Sequence, residues 1–312
     1  MLNRSEAANF GAAALLEHDA RYDRAEEFLE VVRGHWRSWD AGALVVDKAS
    51  GVVADPDKVR RIEHAGQWFK SRGPFTVPRS PQGEPVLIQA EQSGCGQAGA
   101  AGRAGAAKWG DLVFVIYPNL QTGRQVCAEF KDHLEQTGRG RVAVKIAPAV
   151  CTVMGESLGE AEDKLSALNA LSMPVSGLAS LFKVLNVDLA SKGHDEPFTI
   201  EEMAGISAIQ AFRDRVVKMN GHANPTPHEF VVHTQRGTLV ELPVFCGTAS
   251  QGADQMQEWN GTACDGFIVA SHAPGAYEDV VRPVVPELQR RGVFRTGYEG
   301  RTLRENLGSL VP

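Results

Sequence analysis

The sequence predicts an α/β fold built around a parallel sheet. Three short apolar runs, each followed by a helical segment, carry this prediction: "PVLIQA" (85–90), "DLVFVIY" (111–117) and "RVAVKIAPAVCTV" (141–153). Continuous apolar runs are typical of strands buried on both faces, and strands that alternate with helices indicate βαβ units. A fourth run, "CDGFIVA" (264–270), stands between the helical segments "SQGADQMQEWNG" and "YEDVVRPVVPELQRRG". We therefore expect four βα units.

Composition narrows the class of protein. The chain has 312 residues and a net charge of -6, which argues against general binding to a nucleic-acid backbone. No stretch is apolar for long enough to be a signal peptide or a membrane span. The five cysteines are widely spaced, without a CxxC pair, which indicates reduced thiols in the cytoplasm.

The first helical segment predicts an inward-facing stripe. Its positions step by four and three residues, as one face of an α-helix does: His18, Tyr22, Ala25, Leu29, Val32 and Trp36. Most charges of the segment fall off this stripe: Asp23, Arg24, Glu26, Glu27 and Glu30. We therefore expect His18 and Tyr22 to face the interior, where they either cap a core or donate hydrogen bonds to a ligand.

Two longer stretches interrupt the strand–helix pattern. Residues 40–85 are rich in Gly, Pro and Asp and read as turns, with a hairpin around Ser50-Gly51. Residues 172–245 read as an irregular insertion of helix and loop.

A glycine-rich turn is the best candidate for an anion site. It follows the run at 85–90 and contains Ser93, Gly94, Gly96 and Gly99 ahead of a helix. Backbone N–H groups at a helix N-terminus favour an anion, and glycines allow it to approach closely. The glycines form the pattern G-x-G-x-x-G of dinucleotide-binding proteins. Such proteins also need an acidic residue at the end of the next strand. That residue is missing here, and Asp111 stands at the start of the strand instead. A phosphate site of another kind and a plain tight turn both remain open.

Other chemistry is less evident. The sequence contains no nucleophile motif and no convincing Cys/His pair. His222, His228 and His233 are close together in sequence. They are either metal ligands or ordinary loop histidines, and no carboxylate motif nearby supports a metal site. The acids at 155–163 read as a solvated helix start. We therefore assign neither a catalytic residue nor a metal site.

Several motifs together resemble one family. These are "NFG" (9–11), "HDARYDRAEEFLEVV" (18–32), "GPFTVPRSPQGEPVLIQA" (73–90), "ACDGFIVA" (263–270), "VVPELQRRGVFR" (284–295) and "YEGRTLRENLG" (298–308). The chain resembles the flavin-dependent monooxygenases of the bacterial-luciferase superfamily, in the group of the nitrilotriacetate, dibenzothiophene-sulfone and pristinamycin monooxygenases. The resemblance implies a (β/α)8 TIM barrel that binds reduced FMN at the C-terminal ends of its strands and oxygenates a small organic substrate with O2.

The same resemblance implies a partner and a set of cofactor residues. A separate NAD(P)H-dependent flavin reductase supplies the reduced FMN in such two-component systems. The family residues that contact FMN fall here on His18, Tyr22 and Ser93, with Gly94 in the same turn. Glu91 and Gln92 depart from the family pattern, which has small residues there.

The resemblance also implies that the chain starts after the fourth barrel strand. Residues 1–312 then form the C-terminal half of a barrel, with the 172–245 insertion covering the active site. We expect such a chain to be poorly active or to dimerise through its open surface, as a homodimer. Two alternatives are a non-catalytic remnant or interaction protein that keeps part of the FMN site, and a reductase that uses a deazaflavin cofactor.

Overall fold

A sheet of five parallel strands organises the chain. The computed structural model describes residues 8–9, 16, 18–91, 100–171, 192–206, 213, 216–219, 221–234, 242–270 and 272–308. The five strands are β5 (Ile88–Glu91), β6 (Leu112–Val115), β7 (Lys145–Met154), β8 (Val244–Gly247) and β9 (Ile268–Val269). Two small hairpins precede them, made of β1 (Leu44–Asp47) with β2 (Val52–Ala54) and of β3 (His64–Ala65) with β4 (Lys70–Ser71).

Helices alternate with the strands of the sheet. The longer ones are α1 (His18–Trp36), α2 (Ala100–Trp109), α3 (Leu120–Gln136), α4 (Leu158–Ala170) and α7 (Ala249–Trp259). The shorter ones are α5 (Ile200–Gly205), α6 (Pro227–Thr234), α8 (Glu278–Val281), α9 (Val284–Arg290) and α10 (Leu303–Asn306). A 3-10 turn spans Pro56–Lys58.

All pairings within the sheet are parallel. Ile88 of β5 lies opposite Leu112 of β6, and Leu112 lies opposite Lys145 of β7. The long strand β7 also pairs with β8, where Cys151 lies opposite Val244, and with β9. This topology confirms the predicted α/β fold with a parallel sheet.

The predicted count of four strands was too low. Strand β8 lies at the end of the segment that we expected to be irregular, and it is only four residues long. It forms because β7 continues past its pairing with β6, so that its last residues offer free backbone groups. The predicted single terminal helix is also wrong. It is divided into α8 and α9 around Arg282 and Pro283, since proline lacks the N–H that a continuous helix needs.

The main hydrophobic core lies between the sheet and its helices. Strands β6 and β7 contribute Val113, Val115, Ile146 and Val150, and the facing helices contribute Phe130, Leu134, Met256, Trp259 and Val284. Burial of such side chains contributes about 1.5–3 kcal/mol each to stability. The face of β5 that carries Ile88 is less covered, as the 60% exposure of this side chain shows. In the described part of the chain β5 pairs only with β6.

A buried ion pair joins the C-terminal helix to the N-terminal edge of the sheet. The guanidinium of Arg304 on α10 donates to both carboxylate oxygens of Asp111, and both side chains are only 10% exposed. Arg304 also donates to the carbonyl of Pro85 at 3.0 Å, and the Asp111 carboxylate accepts from the Leu87 amide at 2.8 Å. The pair therefore fixes the starts of β5 and β6.

The predicted hairpin around Ser50-Gly51 is confirmed. Leu44 pairs with Ala54 and Asp47 pairs with Val52, and Gly51 adopts a φ of 72° in the turn. A positive φ is readily adopted by glycine because it has no Cβ. The second hairpin, β3 with β4, was not predicted.

The insertion has a small core of its own. Phe198, Met203, Ile206, Val216 and Phe230 form a second apolar cluster, in which the rings of Phe198 and Phe230 meet edge to face at 5.4 Å. Lys192 pairs with Glu202 at 2.8 Å beside it. The described parts of the predicted insertion are thus packed rather than irregular.

None of the described helices is both long and apolar enough to cross a lipid bilayer. Four of the five cysteines fall within the described residues, and all four are free thiols, as predicted: Cys127, Cys151, Cys246 and Cys264.

We predict that Arg304→Met destabilises the protein by about 3–5 kcal/mol, because it leaves the buried Asp111 carboxylate without its cation. Arg301→Met, three residues earlier on the exposed surface, is the matched control and should change the stability by less than about 0.5 kcal/mol. Urea denaturation measures both variants. Equal effects of the two substitutions would contradict the anchoring role of Arg304.

Candidate functional site

The C-terminal edge of the sheet is the candidate site. Strands β5, β6 and β7 run in the same direction and end there at Glu91, Val115 and Met154. In sheets of this kind ligands bind beyond the carboxyl ends of the strands, where the following loops meet.

Helix α1 points its N-terminus at the same edge. The guanidinium of Arg33, near the end of α1, stacks over the ring of Trp109 at 5.2 Å, and Trp109 is the last residue of α2. Lys108 of α2 forms an ion pair with Glu26 of α1. The end of α2 therefore packs against the C-terminal half of α1. Arg33 also pairs with Glu84 ahead of β5, so α1 ends near the N-terminal edge of the sheet. Because α2 starts on the side where β5 ends, we infer that both helices begin toward the C-terminal edge.

Tyr22 lies in the N-terminal part of α1, eleven residues before Arg33. At 1.5 Å per residue this places it roughly 16 Å from Arg33 along the helix axis. His18 lies one further turn toward the N-terminus of the helix.

The structure describes the side chain of only one predicted cofactor residue, Tyr22. Tyr22 is half-buried on α1, as the predicted stripe requires. His18 begins α1, and its side chain lies outside what the structure describes, as does that of Glu91 at the end of β5. Ser93 and Gly94 lie outside the described residues. Their contacts with a cofactor stay predictions.

The stripe itself is only partly correct. Leu29, Val32 and Trp36 are half-buried, but Ala25 is exposed. Among the described residues, α1 packs against α2 and, through Glu27, against the connector that follows it. A helix packed in this way buries a narrower face than a core helix does.

Glu27 holds α1 in place, a role that the sequence reasoning missed. Its carboxylate accepts hydrogen bonds from the amides of Trp68 and Phe69 at 3.0 and 2.8 Å, and it lies 3.1 Å from His64 Nε2. Burial raises the pKa of Glu27, but the bonds from His64 and the two amides outweigh it and hold the pKa below the ordinary value. The carboxylate therefore stays charged while it pins the second hairpin to α1.

Gly66 is the residue in the sequence that could have pointed to the contact between Glu27 and the second hairpin. A Cβ at this position would lie 2.1 Å from Glu27 Oε1, so that only glycine lets the carboxylate reach the hairpin. The motif "HAGQWF" (64–69) supplies the histidine, the glycine and both amide donors within six residues.

Asp111 is excluded from a cofactor role by its position. It begins β6 at the N-terminal edge, opposite the candidate site, and Arg304 occupies its carboxylate. The dinucleotide interpretation of the glycine motif therefore has no acidic partner at the end of β6.

The described thiols and histidines show no nucleophile and no metal centre. Burial raises the pKa of Cys264 to about 12 and also raises the pKa of Cys127 and Cys246. These thiols are protonated at neutral pH. His222 lies 3.3 Å from Glu229, and no group of three or more metal-ligating side chains is present among the residues the structure describes.

The fold defines a class: a parallel α/β protein whose candidate ligand site lies at the C-terminal edge of its sheet. Comparison with known proteins identifies the family within this class. Residues 3–205 match the profile of the luciferase-like monooxygenases. The chain belongs to this family.

Named relatives and a solved structure agree with this assignment. The chain is 42% identical to a dibenzothiophene-sulfone monooxygenase of Rhodococcus erythropolis over 100% of its own length and 68% of the relative's. It is 36% identical to nitrilotriacetate monooxygenase component A of Aminobacter aminovorans, over 99% and 67%. It superimposes on a riboflavin lyase, solved with modified FMN and riboflavin, with a TM-score of 0.82 and 30% identity over 98% and 66%. The chain thus spans about two thirds of the length of these proteins.

We predict that Glu27→Gln removes a pH-dependent part of the stability. The folded pKa of Glu27 lies below its ordinary value of 4.5, so the charged carboxylate stabilises the fold above that pH. The contribution is lost as the pH falls through the folded pKa. Urea denaturation from pH 3 to pH 7 should therefore show a difference between wild type and variant that is largest near neutral pH.

Gly66→Ala should reproduce this loss by displacing the same carboxylate, whereas Gly140→Ala, in open space, is the control. A difference between wild type and Glu27→Gln that is constant across the pH range would contradict the role of the charge.

Proposed function

We propose that the chain is the oxygenating part of a two-component, FMN-dependent monooxygenase acting on a small organic substrate. The observation that carries the proposal is the 42% identity to a dibenzothiophene-sulfone monooxygenase across the whole chain. The likeness to a riboflavin lyase solved with modified FMN supports the flavin. A non-catalytic role is not favoured, because relatives that match along the whole chain are named monooxygenases.

We infer that the five parallel strands form an arc of a (β/α)8 barrel. Their order and direction, with a helix after each of β5, β6 and β7, fit this architecture. The exposed face of Ile88 on β5 would then lie toward the barrel interior.

The residues at the C-terminal edge fit the phosphate end of FMN. We place the starts of α1 and α2 at this edge, and the N–H groups of a first helical turn favour an anion. Tyr22 lies in the N-terminal part of α1, where we propose that its phenol donates a hydrogen bond to the phosphate. His18, Ser93 and Gly94 are the other residues we propose to hold the cofactor. Glu27 acts indirectly, since it fixes the position of the helix that carries His18 and Tyr22.

When bound, reduced FMN supplies the electrons for O2 activation and oxygen transfer. The chain's contribution is to position the cofactor and the substrate and to exclude water. We propose that the insertion, with its own apolar cluster, covers the site and selects the substrate. A relative named as component A acts with at least one further component, and we propose an NAD(P)H-dependent flavin reductase as the partner here. The homodimer also stays a prediction.

The activity can be measured directly. We expect the purified chain, supplied with a flavin reductase, NADH, FMN and ¹⁸O2, to place one labelled oxygen atom in a product. Dibenzothiophene sulfone and nitrilotriacetate, the substrates in the relatives' names, are the first probes. Substrate turnover under anaerobic conditions would contradict the proposal and favour a reductase.

The cofactor site has a separate test. Ser93→Ala should raise the dissociation constant for FMN by about tenfold or more, since a hydrogen bond to a charged phosphate contributes about 1.5–3 kcal/mol. Tyr22→Phe should act in the same direction. Ser80→Ala, on the exposed connector, is the control. Titration of flavin fluorescence measures all three, and unchanged affinity in Ser93→Ala would remove Ser93 from the site.

A further inference from the structure

Guanidinium groups gather around the end of α2, at the N-terminal edge of the sheet and opposite the candidate site. Arg139, in the turn after α3, donates to the carbonyl of Ala107 at 2.7 Å. Two residues further along the chain, the ring centre of Trp109 lies 5.2 Å from the guanidinium of Arg33. Two residues after that stands the ion-pair partner of Arg304. We name four side chains at this place the arginine cluster: Arg33, Arg37, Arg139 and Arg304.

The arginine cluster holds more positive than negative charge. Glu84 pairs with both Arg33 and Arg37, and Asp111 pairs with Arg304. Two carboxylates thus face four guanidinium groups, an excess of two positive charges. The C-terminal end of a helix carries about half a negative charge, so the end of α2 offsets only part of this excess. The edge is therefore locally positive in a chain whose net charge is -6.

Arg139 is the member of the cluster that lacks an acid. In the described part of the chain no carboxylate lies within ion-pair distance of its guanidinium, whose hydrogen bond goes to the neutral carbonyl of Ala107. Burial lowers the pKa of Arg139, and Asp111 raises it. The like charges of Arg33 and Arg304 lower this pKa again, so both groups are near enough to repel Arg139. The Asp111 carboxylate is already engaged by Arg304 on both oxygens.

A buried donor and an open turn lie close to this guanidinium. The indole Nε1 of Trp109, two residues from the carbonyl that Arg139 contacts, is buried and donates to no acceptor among the residues that the structure describes. Gly138 and Gly140 flank Arg139, and a Cβ built on either would meet no atom within 4 Å. No described side chain packs on these glycines, which leaves the turn open to a small anion.

We propose that the arginine cluster binds a free tetrahedral dianion of the phosphate or sulfate class, with Arg139 as its main contact. Guanidinium groups donate two parallel hydrogen bonds to such oxyanions, and these bonds are strong because both partners are charged. A dianion also balances the two excess positive charges of the cluster. Bound there, the anion would join the turn after α3 to α1 and to the C-terminal helix. The site lies opposite the cofactor edge, so the proposal does not depend on the proposed activity.

Isothermal titration calorimetry of the full chain with sodium phosphate, at neutral pH, tests the proposal. We expect saturable binding with a Kd of about 1 mM or lower. Sodium sulfate should bind as well, whereas sodium chloride at the same ionic strength, which only screens the charges, should not. The midpoint of thermal unfolding should rise with phosphate concentration, because a ligand that binds only the folded chain stabilises it.

Substitutions of Arg139 locate the anion. Arg139→Gln should raise the phosphate Kd by about tenfold or more, since it removes the guanidinium that lacks an acid. Arg141→Gln is the matched control, because Asp132 and Glu135 already pair with this side chain, and it should change the Kd by less than about twofold. Arg139→Lys keeps the charge and a donor for Ala107, so it keeps the test decisive if Arg139→Gln does not fold. It should raise the Kd by about threefold to tenfold, because an ammonium cannot form two parallel bonds.

Three results would overturn the proposal. One is a wild type that takes up no phosphate beyond the chloride control at about 10 mM, ten times the expected Kd. Another is a Kd that rises equally in Arg139→Gln and Arg141→Gln, which would show general attraction by positive charge. The third is phosphate binding that is unchanged in both substitutions of Arg139, because the anion would then occupy another place, such as the proposed cofactor site.

Discussion

One carboxylate, that of Asp111, connects the parts of the molecule that must stay in register. It accepts from the Leu87 amide at the start of β5 and from Arg304 of the C-terminal helix, and the backbone carbonyl of Asp111 accepts from the Lys145 amide at the start of β7. A buried ion pair stabilises a fold only when its remaining hydrogen bonds are satisfied, and here they are. Because the strand starts are fixed at this edge, their ends are fixed at the other.

Asp265, which precedes β9, repeats the arrangement two strands further along the sheet. Its carboxylate accepts from the Ile146 amide at 2.8 Å and from the buried Lys131 at 2.8 Å. An aspartate just ahead of β6 and another three residues ahead of β9 therefore each hold the neighbouring strand and a buried cation. The N-terminal edge is thus the stabilising edge, and the C-terminal edge, with the starts of α1 and α2, is left for a ligand. βα barrels typically have a stabilising N-terminal edge and a ligand-binding C-terminal edge.

The sequence predicted what depends on local patterns. Continuous apolar runs located β5, β6 and β7, and Ser50-Gly51 located the first hairpin. Strand β8 was not predicted, because in the described part of the chain its four residues pair with the end of β7, which is far away in sequence. The roles of Glu27 and Arg304 escaped for the same reason, since a charged residue next to a helix stripe looks solvated until its distant partner is known. The sequence pattern alone suggested no specific ligand for His18, Tyr22, Ser93 and Gly94, and their assignment to FMN is a prediction from the family resemblance.

The central claim is that FMN binds at the C-terminal edge, beside the starts of α1 and α2. A crystal structure of the chain grown with FMN tests it most directly. We predict density for the phosphate within hydrogen-bonding distance of the Tyr22 hydroxyl and beside the start of the helix that begins at Ala100. FMN bound at the N-terminal edge, near Asp111 and Arg304, would contradict the account, and so would a phosphate remote from both helix starts.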